Sequence, residues 1–213
     1  MTTNFDAKAR AWDTPEKAER AQTVADAIQR NVNLTHDMRG FEYGCGTGLL
    51  SFCLRDHLSH ITLADSSPGM LEVLEEKIRA TGATHMTPVQ LDLMADAAPQ
   101  TPFQLIYTML TLHHINDTDR ILEIFHAMLS ADGYLCIADL DKEDGSFHSG
   151  GFHGHHGFDQ QQLKDKLERV GFSDVRAENC YAIEKEVAGG ATRAFPVFLL
   201  TCQKIVVPDP CGG

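Results

Sequence analysis

Positive charge is scarce in this 213-residue sequence, which has 18 Lys and Arg against 30 Asp and Glu and a formal net charge of −12. A surface of that sign repels phosphate backbones, and no Lys/Arg cluster supplies a local basic footprint. Nucleic acid is therefore not an expected partner. Long apolar runs are also missing. No stretch approaches the roughly 20 residues that span a bilayer, and the polar start from Met1 to Arg10 has no signal-peptide core. No membrane partner is expected, and a cytoplasmic location is. CxxC pairs are absent. Cys45, Cys53, Cys136, Cys180, Cys202 and Cys211 stand apart, several inside apolar runs such as Leu135-Cys136-Ile137. That pattern fits reduced core thiols and excludes a disulfide framework.

What is present is an alternation of strands and helices. Thr14 to Asn31 reads as a helix, with Thr14 as cap, Pro15 in the first turn, and Ala18, Ala21, Val24, Ala25 and Ile28 at helical spacing. From Gly40 onward the expected order is a strand at Phe41–Tyr43, a helix at Thr47–His57 and a strand at Ile61–Ala64. Ser67 then caps a helix with Pro68 at its first position. Strands at Met86–Leu91 and Phe103–Leu110 follow, then a helix at Asp117–Ser130. Ala131-Asp132-Gly133 turns into a fifth strand, Tyr134–Ala138. Such alternation implies an α/β fold with a parallel sheet and right-handed crossovers. Asp141 to Gly157 is polar and rich in Gly and His, and reads as a long functional loop. A helix at Asp159–Val170 ends at Gly171. Two closing strands, about Asp174–Lys185 and Ala194–Ile205, are joined closely enough for an antiparallel hairpin. The tail, 208–213, is expected to be disordered.

The chemistry concentrates at the strand ends. Gly44, Gly46 and Gly48 follow a strand and open a helix, where glycine permits a tight turn and close approach of backbone N–H groups to a ligand. Their G-x-G-x-G spacing departs from the dinucleotide fingerprint G-x-G-x-x-G at the third glycine. Asp65 ends the second strand, about where a ribose-binding acid is expected; it also suits a helix cap. Asp92, after the third strand, suits an adenine amino group or a simple turn. Ligands of open α/β sheets bind outside the carboxyl ends of the strands, where all three features fall.

In these motifs the sequence resembles the class I S-adenosylmethionine-dependent methyltransferases. Phe41-Glu42-Tyr43-Gly44-Cys45-Gly46-Thr47-Gly48 resembles the family's glycine-rich first motif, including its acid at Glu42. Ala64-Asp65-Ser66-Ser67-Pro68-Gly69-Met70 is similar to the second, and Leu91-Asp92-Leu93 to the third. Ala131-Asp132-Gly133-Tyr134-Leu135 resembles, in degenerate form, the turn before the fifth strand. The resemblance covers about Ala9 to Lys204. It is closest to the small-molecule, quinone-biosynthesis-like group.

The resemblance implies a Rossmann-like doubly wound seven-stranded sheet with a C-terminal antiparallel hairpin, in one methyltransferase domain over 1–207. Residues 1–38 would be its helical extension or lid and 139–158 its active-site loop. The implied cofactor is S-adenosyl-L-methionine, with S-adenosyl-L-homocysteine as product. Glu42, Gly44, Cys45, Gly46, Asp65, Ser66, Met70, Asp92, Leu93 and Met109 would bind it. Glu42 would lie near the sulfonium, Asp65 on the ribose, Met70 beside the adenine, and the Met109 backbone at the methionine amino group. Phe5, Trp12 and Asp13 look like the family's N-terminal cover. Gln104 stands where an acid commonly begins the fourth strand. Met109-Leu110-Thr111-Leu112 replaces the signature of exocyclic-amine methylation, so the expected acceptor is a small molecule with an O, S or C nucleophile.

Methyl transfer is an in-line displacement in which the protein aligns the reactants and removes a proton where the acceptor needs it. His113, after the fourth strand, is the candidate base, and a core role is its alternative. His148, His153, His155 and His156, with Asp139, Asp141 and Glu143 upstream, form a clustered set, but their spacing matches no metal-ligand pattern, so no metal is expected. Two other functions stay open: a non-catalytic cofactor-binding regulatory subunit and a nicotinamide-dependent oxidoreductase. The sequence does not specify the oligomeric state.

Overall fold

A computed structural model describes residues 5–148 and 151–205. The expected disordered tail, 208–213, and Cys211 within it lie outside the described residues. The elements are α1 (Phe5–Lys8), α2 (Pro15–Asn31), β1 (Arg39–Tyr43), α3 (Leu49–Leu54), β2 (His60–Asp65), α4 (Pro68–Thr81), β3 (Met86–Gln90), β4 (Phe103–Met109), α5 (Thr118–Met128), β5 (Leu129–Leu140), α6 (Gln160–Val170), β6 (Ser173–Glu186) and β7 (Thr192–Gln203).

The long helices begin at short polar side chains, which satisfy first-turn N–H groups that have no partner within the helix. Thr14 Oγ1 accepts from Lys17 N at 3.4 Å, Ser67 Oγ from Met70 N at 3.2 Å, Asp117 Oδ1 from Arg120 N at 2.9 Å and Asp159 Oδ1 from Gln162 N at 2.9 Å. The helix expected from Thr47 starts only at Leu49, because Gly48 is left-handed at φ 79°. A 3-10 turn at 55–57 completes it.

The seven strands form one sheet in the order β3-β2-β1-β4-β5-β7-β6. The first five run parallel, and β7 lies antiparallel between β5 and β6. This is the expected doubly wound arrangement with its terminal hairpin. Strand β5 is longer than expected at both ends. Leu129 already pairs with Phe103, and Leu140 still pairs with Val197. The expected turn at 131–133 lies inside it as a bulge, with Asp132 at φ 59°.

Side-chain alternation along the strands feeds two apolar layers. On one face, Leu105, Tyr107, Cys136 and Ala138 pack with α2, α3 and α4 through Val24, Ile28, Leu50, Leu54 and Leu74. On the other, Phe41, Ile106, Leu135 and Ile137 pack with α5 and α6 through Ile121, Phe125, Leu163 and Leu167. Both layers are therefore closed, and the strand ends after β1, β2, β3 and β4 stay available for a ligand.

Residues 5–14 lie across those ends, held by polar contacts. Asp6 Oδ1 accepts from Ser67 Oγ at 2.6 Å and from Gly69 N at 2.9 Å. A side chain at Gly69 would put its Cβ 2.9 Å from Asp6 Cα, so this approach needs glycine. Arg10 forms a two-pronged pair with Glu76, and Asp13 joins the Thr47 hydroxyl and Lys77, the latter at 2.7 Å. Exposed pairs of this kind are worth ~0–1 kcal/mol each, enough to hold a segment but not to support the core. Asp13→Ala is therefore expected to speed proteolytic cleavage in residues 5–14 several-fold, while the melting temperature shifts by no more than about 4 °C. Limited proteolysis alongside thermal melting checks this; an unchanged cleavage rate would remove the holding role.

Candidate active site

A cavity of about 730 Å³ opens at these strand ends, within the range of small-molecule sites. Its floor is the glycine loop. Gly44, Gly46 and Gly48 have φ of 69°, 53° and 79°. Gly44 cannot be replaced without cost, because a Cβ there would collide with the Thr111 side chain. The loop is pinned to β2: Gly44 N and Cys45 N donate to Ala64 O at 2.8 and 3.0 Å.

Asp65 ties the loop to the next turn. Its Oδ2 accepts from Gly46 N at 2.7 Å and its Oδ1 from Ser67 N at 2.8 Å. Burial pushes its pKa up, against the pull of these backbone donors. The capping alternative thus describes bonds that do form. Each oxygen keeps further acceptor capacity, and the residue lines the cavity beside Ser66 and Met70. Asp92 also lines it, with Oδ1 accepting from Met94 N at 2.9 Å and from the Tyr43 hydroxyl at 3.3 Å. Leu93 differs from the other sequence candidates. It is buried behind Asp92, does not line the cavity, and gives its N–H to Tyr43 Oη at 3.2 Å.

Glu42 reaches the cavity floor from β1 while being 2% exposed. Ser51 donates to it and is itself 2.6 Å from the Tyr107 hydroxyl. Burial pushes its pKa to about 8, with the Ser51 hydroxyl pulling the other way. At neutral pH the unliganded site therefore holds mostly a protonated acid there. Cys45 is buried, with its thiol pushed well up by desolvation. The Met109 carbonyl accepts from Thr111 Oγ1 at 3.2 Å, and Leu110 sits in the left-handed region at φ 52°. Non-glycine residues held there carry local strain, which concentrates at functional sites.

His113 follows in a short 3-10 turn at 112–114. Its Nδ1 lies 2.6 Å from Asp139 Oδ1, with the ring 2% and the carboxylate 0% exposed. Asp139 also accepts from His113 N at 3.2 Å and Leu140 N at 2.7 Å. A carboxylate on Nδ1–H fixes the tautomer in which Nε2 is the basic nitrogen. The sequence pattern missed this dyad, since Asp139 reads as the start of a loop. It lies instead on β5, beside the turn after β4.

The four loop histidines separate. His148 lines the cavity, and its ring lies 5.1 Å from that of His113. His155 Nε2 contacts Ile115 O at 3.0 Å and Thr118 Oγ1 at 3.1 Å, and His156 pairs with Glu143 at 3.3 Å. His153 joins none of these contacts. Desolvation lowers the pKa of His114 and of His148 to about 4, so both rings are neutral where a cation would bind. Of the cover residues, Phe5 and Trp12 line the cavity, whereas Asp13 is engaged outside it; of the loop phenylalanines, Phe147 lines it and Phe158 packs into the core. Lys8, at the end of α1, and Lys17 and Arg20, three residues apart on α2, also line the cavity, and only the spacing of the last two could have marked them.

The buried acid predicts a pH dependence. Glu42 binds its proton more tightly when folded (pKa about 8) than at its ordinary value of 4.5. Its contribution is full below about 4.5 and is lost as the pH rises through about 8. Each pKa unit is worth ~1.4 kcal/mol, so wild type should lose a few kcal/mol relative to Glu42→Gln between pH 5 and pH 9. Urea unfolding of cofactor-free protein measures it, and a difference that stays flat with pH would contradict the burial argument.

A family model described as a methyltransferase domain matches residues 17–177. An uncharacterized methyltransferase of Schizosaccharomyces pombe is 27% identical over 176 residues, covering 74% of this chain and 62% of that protein. A ubiquinone biosynthesis O-methyltransferase of Xylella fastidiosa is 28% identical over 142 residues, covering 64% and 56%. The chain thus spans less than two thirds of the length of either. Among solved structures, a Haloferax volcanii methyltransferase in complex with the Trm112 activator superposes with a TM-score of 0.75 at 14% identity, covering 97% of this chain and all of that one; at that identity it shows the fold alone. With its domain matched from the first long helix into β6 and its glycine loop and strand-end acids around one cavity, the chain belongs to the class I S-adenosylmethionine-dependent methyltransferase family.

Proposed function

We propose that the chain transfers the methyl group of S-adenosylmethionine to an oxygen, sulfur or carbon nucleophile on a small molecule, releasing S-adenosylhomocysteine. The observation that carries this is a single cavity bordered by the glycine loop, Asp65 and Asp92 along one part of its wall and by His113, backed by Asp139, along another. A regulatory subunit that only bound cofactor would have no use for a buried, oriented imidazole there. The Xylella relative's name favours an oxygen nucleophile among the three.

The residues divide the work as follows. Asp65 accepts from the ribose hydroxyls through lone pairs that Gly46 N and Ser67 N leave free. Asp92 and Ser66 border the adenine end with Met70. Gly44, Cys45, Gly46 and the Met109 carbonyl surround the methionine part, and Glu42 lies beneath it. S-adenosylmethionine, when bound, would supply an electrophilic methyl group with the thioether as its leaving group, and His113 Nε2 would take the proton that the acceptor gives up. The imidazolium so formed is stabilised by Asp139. Neutral His114 and His148 add no charge that would repel the sulfonium. Residues 5–14 serve as the cofactor-side cover and the 139–158 loop as the acceptor-side wall. No described helix is long and apolar enough to cross a membrane. A cytoplasmic location is part of this reading, supported by the free thiols of Cys45, Cys53 and Cys136.

Gly44→Ala should raise the dissociation constant for S-adenosylhomocysteine at least tenfold, because the added methyl collides with Thr111 and strains a left-handed backbone. Calorimetric titration measures it, and unchanged affinity would place the cofactor elsewhere. Transfer of labelled methyl to a metabolite extract tests the activity itself. In that assay His113→Gln should cost 10²–10⁴-fold in turnover with cofactor affinity kept, and Asp139→Asn somewhat less. Full activity in His113→Gln would leave the imidazole a structural part.

A further inference from the structure

The cavity wall does not share the chain's sign of charge. In a chain of net charge −12, it gathers Lys8, Lys17 and Arg20. Lys17 is engaged: its ammonium donates to Trp12 O at 2.9 Å and sits 3.5 Å over the Trp12 ring. Arg20 is not. Its Nε is sealed from solvent without a hydrogen-bond partner, and among the described residues no carboxylate lies within ion-pair distance of its guanidinium. Burial lowers its pKa, opposed only by the nearby Tyr181 phenol. A sealed Nε–H without a partner is satisfied by a ligand that brings an acceptor oxygen to it.

Topology sets Arg20 apart from Asp65 and Asp92. Asp65 and Asp92 follow β2 and β3, at one edge of the sheet. Tyr181 lies on β6, the opposite edge, against which α2 packs. Arg20 lines the same cavity from the helix that packs against β6, away from Asp65 and Asp92.

We propose that Arg20 binds a carboxylate on the methyl acceptor, so that the substrate class is small acids carrying a nucleophilic hydroxyl or thiol. This rests on the cavity being a methyl-transfer site. The planar fork of Arg20 takes both carboxylate oxygens at once, and a fixed anion there sets where the nucleophile reaches His113. Leu49 and Phe147 supply apolar contact for the body between them.

The chain's single tryptophan, Trp12, lines the cavity and reports on binding there. Protein saturated with S-adenosylhomocysteine is titrated with hydroxybenzoates and short hydroxy acids, each beside its neutral amide. Carboxylates should bind at least tenfold tighter than their amides. Arg20→Gln should abolish that difference while S-adenosylhomocysteine affinity stays within threefold, and Arg20→Lys should retain part of it. Circular dichroism verifies that both variants fold; if Arg20→Gln does not, Arg20→Lys carries the comparison. Equal binding of acid and amide, or binding of neither, overturns the proposal. So does a tenfold loss of S-adenosylhomocysteine affinity in the Arg20 variants, which would assign the guanidinium to the cofactor's own carboxylate. Failure of wild type to bind S-adenosylhomocysteine is a separate result, and it overturns the methyl-transfer reading itself.

Discussion

The arrangement depends first on one carboxylate. Asp65 accepts from Gly46 N with one oxygen and from Ser67 N with the other. The first bond holds the glycine loop after β1, and the second holds the turn into α4. Ser67, so placed, caps α4 and donates to Asp6, which brings the N-terminal segment over the cavity. Floor, side and cover thus share a half-buried acid at the end of β2. Two hydrogen bonds to this charged acceptor, ~1.5–3 kcal/mol each, offset part of the burial that raises its pKa.

The site is organised as a gradient of charge. At the ends of β2 and β3 the wall carries Asp65 and Asp92. At its base, desolvation favours the protonated form of Glu42. Neutral imidazoles occupy the middle, and unpaired positive charge sits at the far end on Arg20. In the proposed reading a sulfonium would lie in that middle, with an anionic acceptor on the far side of it. The same desolvation that makes Glu42 and Arg20 costly in the empty protein makes them responsive to ligands.

Much of this was legible in the sequence, for identifiable reasons. Caps at Thr14, Ser67, Asp117 and Asp159 are local chemistry, and each opens its helix as spacing predicts. The sheet and its terminal hairpin follow from apolar runs separated by turns. Elements that depend on partners across the sheet were not legible. Strand β5 runs to Leu140 because β7 continues beside it, and so Asp139 belongs to a strand and not to a loop. Its contact with His113 joins residues 26 apart through the pairing of β4 with β5. Arg20 was hidden for a related reason: on α2 it reads as one more polar face residue until the helix is laid against β6. Leu93 shows the converse, since motif position favours it while the chain turns it into the core.

The cover over the cavity also has a mechanical meaning. Its attachments from Asp6, Arg10 and Asp13 all end on the glycine loop or on α4, and none reaches the acceptor-side loop. The two walls are therefore separate doors. Each of these polar contacts is worth ~1 kcal/mol, and the segment's tie to α2 is the contact of Trp12 with Lys17. In the proposed reaction, cofactor and acceptor would thus each meet a wall that is anchored independently of the other.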